Sequence, residues 1–466
     1  MSEDPTLTRV RGTRTVADAD RLPRGDTGVW ASLASIRTFQ ALQYRNFRYL
    51  WLAQISNSAS LWMEQVARPV LVLTIVADPQ LAAVHVGGVL AARTFPQLGF
   101  GMVAGVMADW YDRRMLIFLS KLVGTIINFL FAILVLSGYV ELWHLYATTI
   151  LRGIATSFDN PARQALIPSL VPPEHLTNAV ALNSASMQTM RIGAAAIAGL
   201  SLVVIGVGGT FLAVAISGAV AVVLTYLMRV PPMPTIKDKS IGSAFTSLWE
   251  GLAYAWDTPT IRGVLLLTVA YFALGMAYLQ VFAPLFAKQV LGIGDAGFGL
   301  MVSVTGIGSL AGSLFIATVS PSRGRGPIML VLMGALGILL MVFGLSTYLP
   351  GMMASPGLEV VSLGGLHLVV PWVAATFLVV IFLGTTQSSY FALSNTVLLE
   401  HAPEEKRGRI MGVLALDRSM ITLGGTLAGF LSAALGPQLA QILFGAAILI
   451  AALSLATLLP SLRKIE

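Results

Sequence analysis

Gly105-Val106-Met107-Ala108-Asp109-Trp110-Tyr111-Asp112-Arg113-Arg114 is a charged turn set between two long apolar blocks. Its small, acidic and basic residues follow the order Gly-x-x-x-Asp-x-x-x-Arg-Arg. Crossing a bilayer as a helix takes about 20 apolar residues, and the blocks on both sides are that long. The turn therefore reads as the connection between a second and a third membrane segment.

Composition extends this reading to the whole chain. Of 466 residues, 56% are hydrophobic and 11% charged, and the mean hydropathy is +0.79. A soluble domain carries about a quarter charged residues, so this chain has too little polar surface to face water and must face lipid. It has no cysteine, which excludes disulfides and thiol chemistry. No Gly-x-x-x-x-Gly-Lys-Ser/Thr loop occurs, so an ion gradient rather than ATP is the expected energy source. The five histidines do not cluster, and no metal or other cofactor is expected. An enzyme is not expected either, because no nucleophile–base or metal constellation is present.

Apolar runs predict an all-α membrane protein with twelve transmembrane helices at 48–77, 83–108, 114–137, 142–160, 174–205, 209–228, 260–290, 295–319, 327–347, 370–399, 407–434 and 437–460. Pro69, Pro96 and Pro284 fall inside segments and are candidate kinks. Basic residues set the orientation. The connections near Pro79, Gly138, Gly208 and Gly436 carry no Lys or Arg, and Lys288 is the one basic residue near that side. The other side holds the N-terminal arginines, Arg113, Arg114, Lys121, Arg163, Arg229, Arg262, Arg323, Arg325, Arg407 and Arg463, among others. Both termini are thus expected in the cytoplasm. The net charge of +7 is mainly this topological signal, and no nucleic-acid partner is expected.

Four regions follow: 1–45 as a disordered basic cytoplasmic tail, 46–228 as a six-helix bundle, 229–259 as a cytoplasmic linker and 260–460 as a second six-helix bundle. The tail has no apolar core of the kind a signal peptide needs. The linker opens with Pro231-Pro232-Met233-Pro234 and continues with Phe245, Leu248, Trp249, Leu252 and Trp256 at helical spacing, which predicts an amphipathic surface helix. A repeat supports the division. Val171-Pro172-Pro173-Glu174 and Ala402-Pro403-Glu404-Glu405 each put Pro and Glu at the first turn of a long helix, half a chain apart.

Twelve segments in two halves, the central linker and the Gly105–Arg114 turn resemble the major facilitator superfamily. Asn160-Pro161-Ala162-Arg163-Gln164-Ala165-Leu166-Ile167-Pro168 and Arg407-Gly408-Arg409-Ile410-Met411-Gly412 resemble the branch holding the bacterial enterobactin exporter and related drug and macrolide exporters. The resemblance implies that Asp109 caps the start of the eleventh helix and pairs with Arg113. Gly105, Asp109, Arg113 and Arg114 would then form a conformational latch; the alternative is a plain topogenic loop. Trp110 and Asp112 depart from the family pattern, which often has a basic residue and a glycine there. The fifth segment, Arg191 to Gly199, lacks the proline common in drug antiporters.

Charges inside a membrane are costly and mark functional positions. Glu64 and Arg68 are four residues apart on one helix face. Glu64 is a candidate proton carrier; the alternative is a static pair. Arg152 resembles the membrane arginine used for proton coupling in drug exporters, the alternative being an anchor to a carbonyl or to Glu64. Arg93 and Arg191 are candidate charge partners, and Asp159 is expected to cap the loop holding Arg163. Asp417 and Arg418 point in different directions from one helix and are expected to pair with other helices, Asp417 being a further coupling candidate. Tyr271, Tyr278 and Gln280, with Gln387, Tyr390 and Asn395, could line a substrate cavity or simply pack.

The expected function is secondary transport by alternating access in a bacterial inner membrane. The cargo would be a small amphipathic compound, such as a siderophore or drug, exported by a monomer in exchange for protons. The alternatives are a nutrient importer, an uncoupled facilitator, or a receptor or scaffold that does not transport.

Overall fold

The computed structural model describes residues 29–34, 37–230, 249–250, 252–319, 324–345, 360–363, 366–401, 403, 420–463 and 465. The long helices among them are α1 (Arg45–Ile75), α2 (Pro79–Trp110), α3 (Arg113–Leu136), α4 (Leu142–Leu170), α5 (Pro173–Val204) and α6 (Gly206–Leu227). They continue with α7 (Pro259–Val290), α8 (Gly294–Val319), α9 (Arg325–Leu345), α10 (Val370–His401), α11 (Met420–Leu435) and α12 (Pro437–Leu458). Seven are long and apolar enough to cross a membrane: α3, α6, α7, α8, α9, α10 and α12. The protein is a multi-pass membrane protein.

Helix α3 shows why these segments belong in lipid. Leu119, Val123, Ile126, Leu130 and Ile133 recur every three or four residues and are exposed. The opposite face buries Ser120, Lys121, Gly124 and Asn128. An apolar exterior around a polar interior is stable only where the surroundings are apolar.

The packing repeats. Helix α1 packs on α5 and α6, α2 on α4, and α3 on α4 and α6; the same pairs, each number raised by six, recur as α7 on α11 and α12, α8 on α10, and α9 on α10 and α12. Helices α1 and α6 are stitched by Ser60 Oγ, which donates to Val214 O at 3.0 Å, and by Ser217 Oγ, which donates to Ser56 O at 2.8 Å. The two groups meet through α2 against α11 and α5 against α8, contacts that the same exchange interconverts. Both seams are glycine-lined: a Cβ on Gly87 would lie 2.9 Å from Gly425 O, and one on Gly199 would lie 2.5 Å from Gly299 Cα. Only residues without side chains allow backbones this close. Near the same end, remote from the Gly105–Arg114 turn, Lys288 Nζ donates to Thr74 Oγ1 at 3.2 Å.

Four features differ from the sequence expectations. Ordered helix begins before residue 45: Val29–Ala34 is helical and Arg37–Gln43 forms a 3₁₀ helix tied to α5, where Ala41 N donates to Asn178 Oδ1 at 2.8 Å. Helix α4 runs ten residues past 160, through Pro161 and Pro168. Burial of Ala162, Leu166, Ile167 and Leu170 outweighs the hydrogen bonds those prolines forfeit. Helix α7 contains three wide π turns, Tyr271–Gly275, Tyr278–Phe282 and Phe286–Val290, around Pro284. Between α9 and α10, Val360–Leu363 pairs antiparallel with Leu366–Val369, a short ladder added to the all-α fold. Leu363 opposes Leu366. Most of the amphipathic linker, 231–248, lies outside the described residues; 252–257 is helical and Trp256 is exposed.

Candidate functional site

Helices α1, α3 and α4 converge on Glu64, which is 1% exposed. One turn along α1, Arg68 Nε donates to Glu64 Oε1 at 2.7 Å, as their i,i+4 spacing demands. Arg68 Nη1 also reaches Leu145 O at 3.4 Å and the Thr149 hydroxyl of α4, and its guanidinium lies 5.4 Å over the Phe131 ring. From α4, Arg152 Nε donates to Glu64 Oε2 at 3.3 Å; from α3, Asn128 Nδ2 reaches the same oxygen at 3.4 Å. Gly124 makes the room, because a Cβ there would meet Arg152 Nη1. Arg93 of α2 joins from the fourth side. Its carbonyl abuts Gly153, and its guanidinium acts electrostatically on Glu64, Arg152 and Arg68.

A second cluster lies one helical stretch closer to the Gly105–Arg114 turn. Lys121 Nζ donates to Asp159 Oδ1 at 2.6 Å and Arg163 Nε to Asp159 Oδ2 at 3.3 Å. Arg163 also reaches Asn183 Oδ1 of α5 at 2.9 Å and Asn160 Oδ1 at 2.6 Å. Asp159 thus holds Arg163 as the sequence suggested, but inside α4 rather than in a loop. Lys121 reads as a topogenic basic residue in sequence yet is 2% exposed. The polar stripe of Ser120, Lys121, Gly124 and Asn128 at helical spacing was the signal for it.

In the Gly105–Arg114 turn, Asp112 takes over where the family pattern has glycine. Its side chain caps α3, accepting from Arg114 N at 2.8 Å and Met115 N at 3.4 Å. Arg113 donates to Ala108 O at 3.2 Å and Ala165 O at 2.9 Å, binding the turn to the end of α4. Arg114 Nη2 donates to Tyr226 O of α6 at 2.6 Å. A Cβ on Gly105 would meet nothing within 4 Å among the described residues. Asp109 and Arg191 lie in helices whose side chains there are not described, and Asp417, Arg418 and the start of the eleventh helix near 407 lie outside the described residues.

Helices α7 and α10 bring the aromatic and amide candidates together. Tyr271 and Tyr390 stack with centroids 4.8 Å apart, Tyr271 OH donates to Gln387 O at 3.2 Å, and Gln387 Nε2 donates to Gly275 O at 3.0 Å. Tyr278 is enclosed against Phe343. Gln280 and Asn395 are half-buried, with Asn395 Nδ2 donating to Phe391 O at 2.7 Å. Among the described residues no group of three or more His, Asp or Glu could hold a metal.

The fold matches solved major facilitator proteins. A D-xylose–proton symporter superposes with a TM-score of 0.67 at 16% identity, covering 90% of this chain and 98% of its own. The peptide transporter PepTSo does so with 0.68 at 14%, covering 91% and 99%. Among curated relatives, the staphyloferrin A transporter of Staphylococcus aureus is 25% identical over 78% of this chain and 84% of its own length. The multidrug efflux pump Tap of Mycolicibacterium fortuitum is 24% identical over 84% and 93%, and the enterobactin exporter EntS of Salmonella typhimurium is 25% identical over 90% and 93%. These relatives are transporters rather than enzymes. A family model described as a transmembrane secretion effector matches residues 36–466, and with it the chain belongs to that family of major facilitator transporters.

Proposed function

We propose that this protein is a twelve-span exporter of the bacterial inner membrane, with both termini cytoplasmic, acting as a monomer. It moves a small amphipathic compound outward by alternating access, in exchange for protons. The observation that carries this reading is the buried ion cluster around Glu64. Its residues stand near the middle of α1, α2 and α4, where an ionised side chain costs at least about 2.5 kcal/mol; a passive scaffold has no use for that expense. Relatives of this chain are named for export of siderophores and drugs, which supports the direction and the cargo class. The glycine seams of α2 with α11 and α5 with α8 supply a surface on which two rigid groups can rock.

Glu64 and Asp417 are the candidate proton carriers, and Asp109 with Arg113 is the candidate latch. The test is efflux of candidate compounds from cells with and without the protein, with the proton gradient intact or collapsed. Efflux that depends on both the protein and the gradient is expected. Equal accumulation in both cells for siderophores, drugs and dyes alike would sink the exporter reading. Glu64→Gln should abolish gradient dependence; unchanged coupling would remove Glu64 from the mechanism. Asp109→Asn should shift the resting state, read by labelling of cysteines introduced at the two ends of this cysteine-free chain.

A further inference from the structure

The cluster around Glu64 does not balance. Among the described residues it brings three guanidiniums, Arg68, Arg93 and Arg152, to one carboxylate, an excess of two positive charges. Its donors are also unspent. Among the described residues Arg93 makes no hydrogen bond or ion pair, and Arg152 makes only the one through Nε. Arg68 Nη2 is buried without a partner. Guanidinium groups left unpaired away from water are strongly unfavourable, and a carboxylate accepts two of their N–H groups at once.

The cluster also has an open side. Glu64, Arg68 and Arg152 are buried, whereas Arg93 is half-buried. Arg93 follows Leu90 by three residues, on the same face of α2, and Leu90 touches α11 at Gly425. Its guanidinium therefore faces the boundary between the two helix groups, where a transported compound must pass. It stands midway along the 32-residue α2, beyond the reach of lipid headgroups.

Resting on the exporter reading above, we propose that Arg93, with the free terminal nitrogens of Arg152, is a binding site for an anionic group of the cargo. The transported compound then carries one or two carboxylates beside its apolar part. Glu64 and Arg68 are positioning residues: Arg68 Nε holds Glu64 Oε1, and Glu64 Oε2 fixes Arg152 through Nε, which leaves its terminal nitrogens uncommitted among the described residues. The apolar remainder of the cargo would lie toward the half-buried Gln280 and Asn395 of the facing group.

The test uses purified full-length protein in uncharged detergent, with succinate and its uncharged dimethyl ester as probes at constant ionic strength set by chloride. Succinate should raise the unfolding temperature in a saturable manner and the diester should not. Arg93→Gln should weaken succinate binding by about tenfold or more, and Arg93→Lys should restore part of it, since a charge remains but the bidentate geometry does not. A variant distant from the site, Lys288→Gln, should bind as the parent does. Equal shifts for succinate and diester, or an undiminished shift in Arg93→Gln, would overturn the site. Export confined to cationic compounds, with no succinate effect, would remove the anion site and leave the exporter. Succinate binding lost in Arg93→Gln, in a protein that exports nothing, would keep the site and remove the exporter.

Discussion

Helices α1–α6 and helices α7–α12 share a packing plan but not an interior. Helices α1–α6 bury Glu64, Arg68, Lys121, Arg152, Asp159 and Arg163. Helices α7–α12, among the described residues, bury Thr, Ser, Gln and Tyr at comparable depth and no charged side chain. The same pairings of helices thus carry ion pairs in one group and neutral hydrogen bonds in the other. Packing order alone does not dictate polar chemistry. One group is built to hold charge, and the other to hold shape through π turns and hydroxyls that bond back to their own helices, as Thr268, Thr305 and Ser309 do.

The comparison can be broken by substitution. Glu64→Gln removes the sole anion of its cluster and should cost about 3–5 kcal/mol, read as a large fall in unfolding temperature in detergent. Gln387→Leu, at the matching depth of the other group, loses only its bond to Gly275 O and should cost about 1–3 kcal/mol. Equal losses would mean that the charged interior contributes nothing special. At the seam, Gly199→Ala places a Cβ 2.5 Å from the Gly299 Cα; neither backbone can yield, so α5 and α8 must part. A cysteine placed at Val302, one turn from Gly299 on α8 and buried in the parent, should then label faster, while protection as in the parent would show that the seam deforms instead of opening. Lys288→Ala loses a partly exposed contact with Asp295 at 3.5 Å and should change stability by less than about 1 kcal/mol. Gly105→Ala meets nothing within 4 Å among the described residues and should leave stability unchanged; any loss of transport without loss of stability would assign that glycine to motion.

Much of this was legible in the residues. Apolar runs placed most of the described helices to within a few positions, the i,i+4 spacing paired Glu64 with Arg68, and Glu64 stood among the alternative anchors for Arg152. The failures have physical causes. Pro161 reads as a helix end, since a missing N–H is a local signal, whereas the burial that carries α4 to Leu170 is set by distant helices. Lys121 reads as a topological charge because its partner, Asp159, is 38 residues away. Arg93 looked like one partner among several. Its lack of an acceptor among the described residues emerges only when all four helices are in place. Asp112 looked like a flaw in the turn, but an aspartate accepting two N–H groups ends one helix and starts the next as firmly as a glycine turn.

The two loop arginines show a further correspondence. Arg113 opens α3 and bonds to Ala165 O near the end of α4; Arg325 opens α9 and pairs with Glu400 at the end of α10. The same joint is built twice, once on a carbonyl and once on a carboxylate.

The glycines of the seam have one more consequence. A contact made by Gly87, Gly199, Gly299, Gly425 and Gly429 has few interlocking teeth, Leu90 over Gly425 being one, so few rotamers have to turn before the helices separate. Sliding or parting there meets little friction: dispersion contact is lost gradually and no single bond must snap. The timing of exchange is therefore left to the charged interior of one group and to the loops that cap its helices, and the seam sets only the path along which the motion runs.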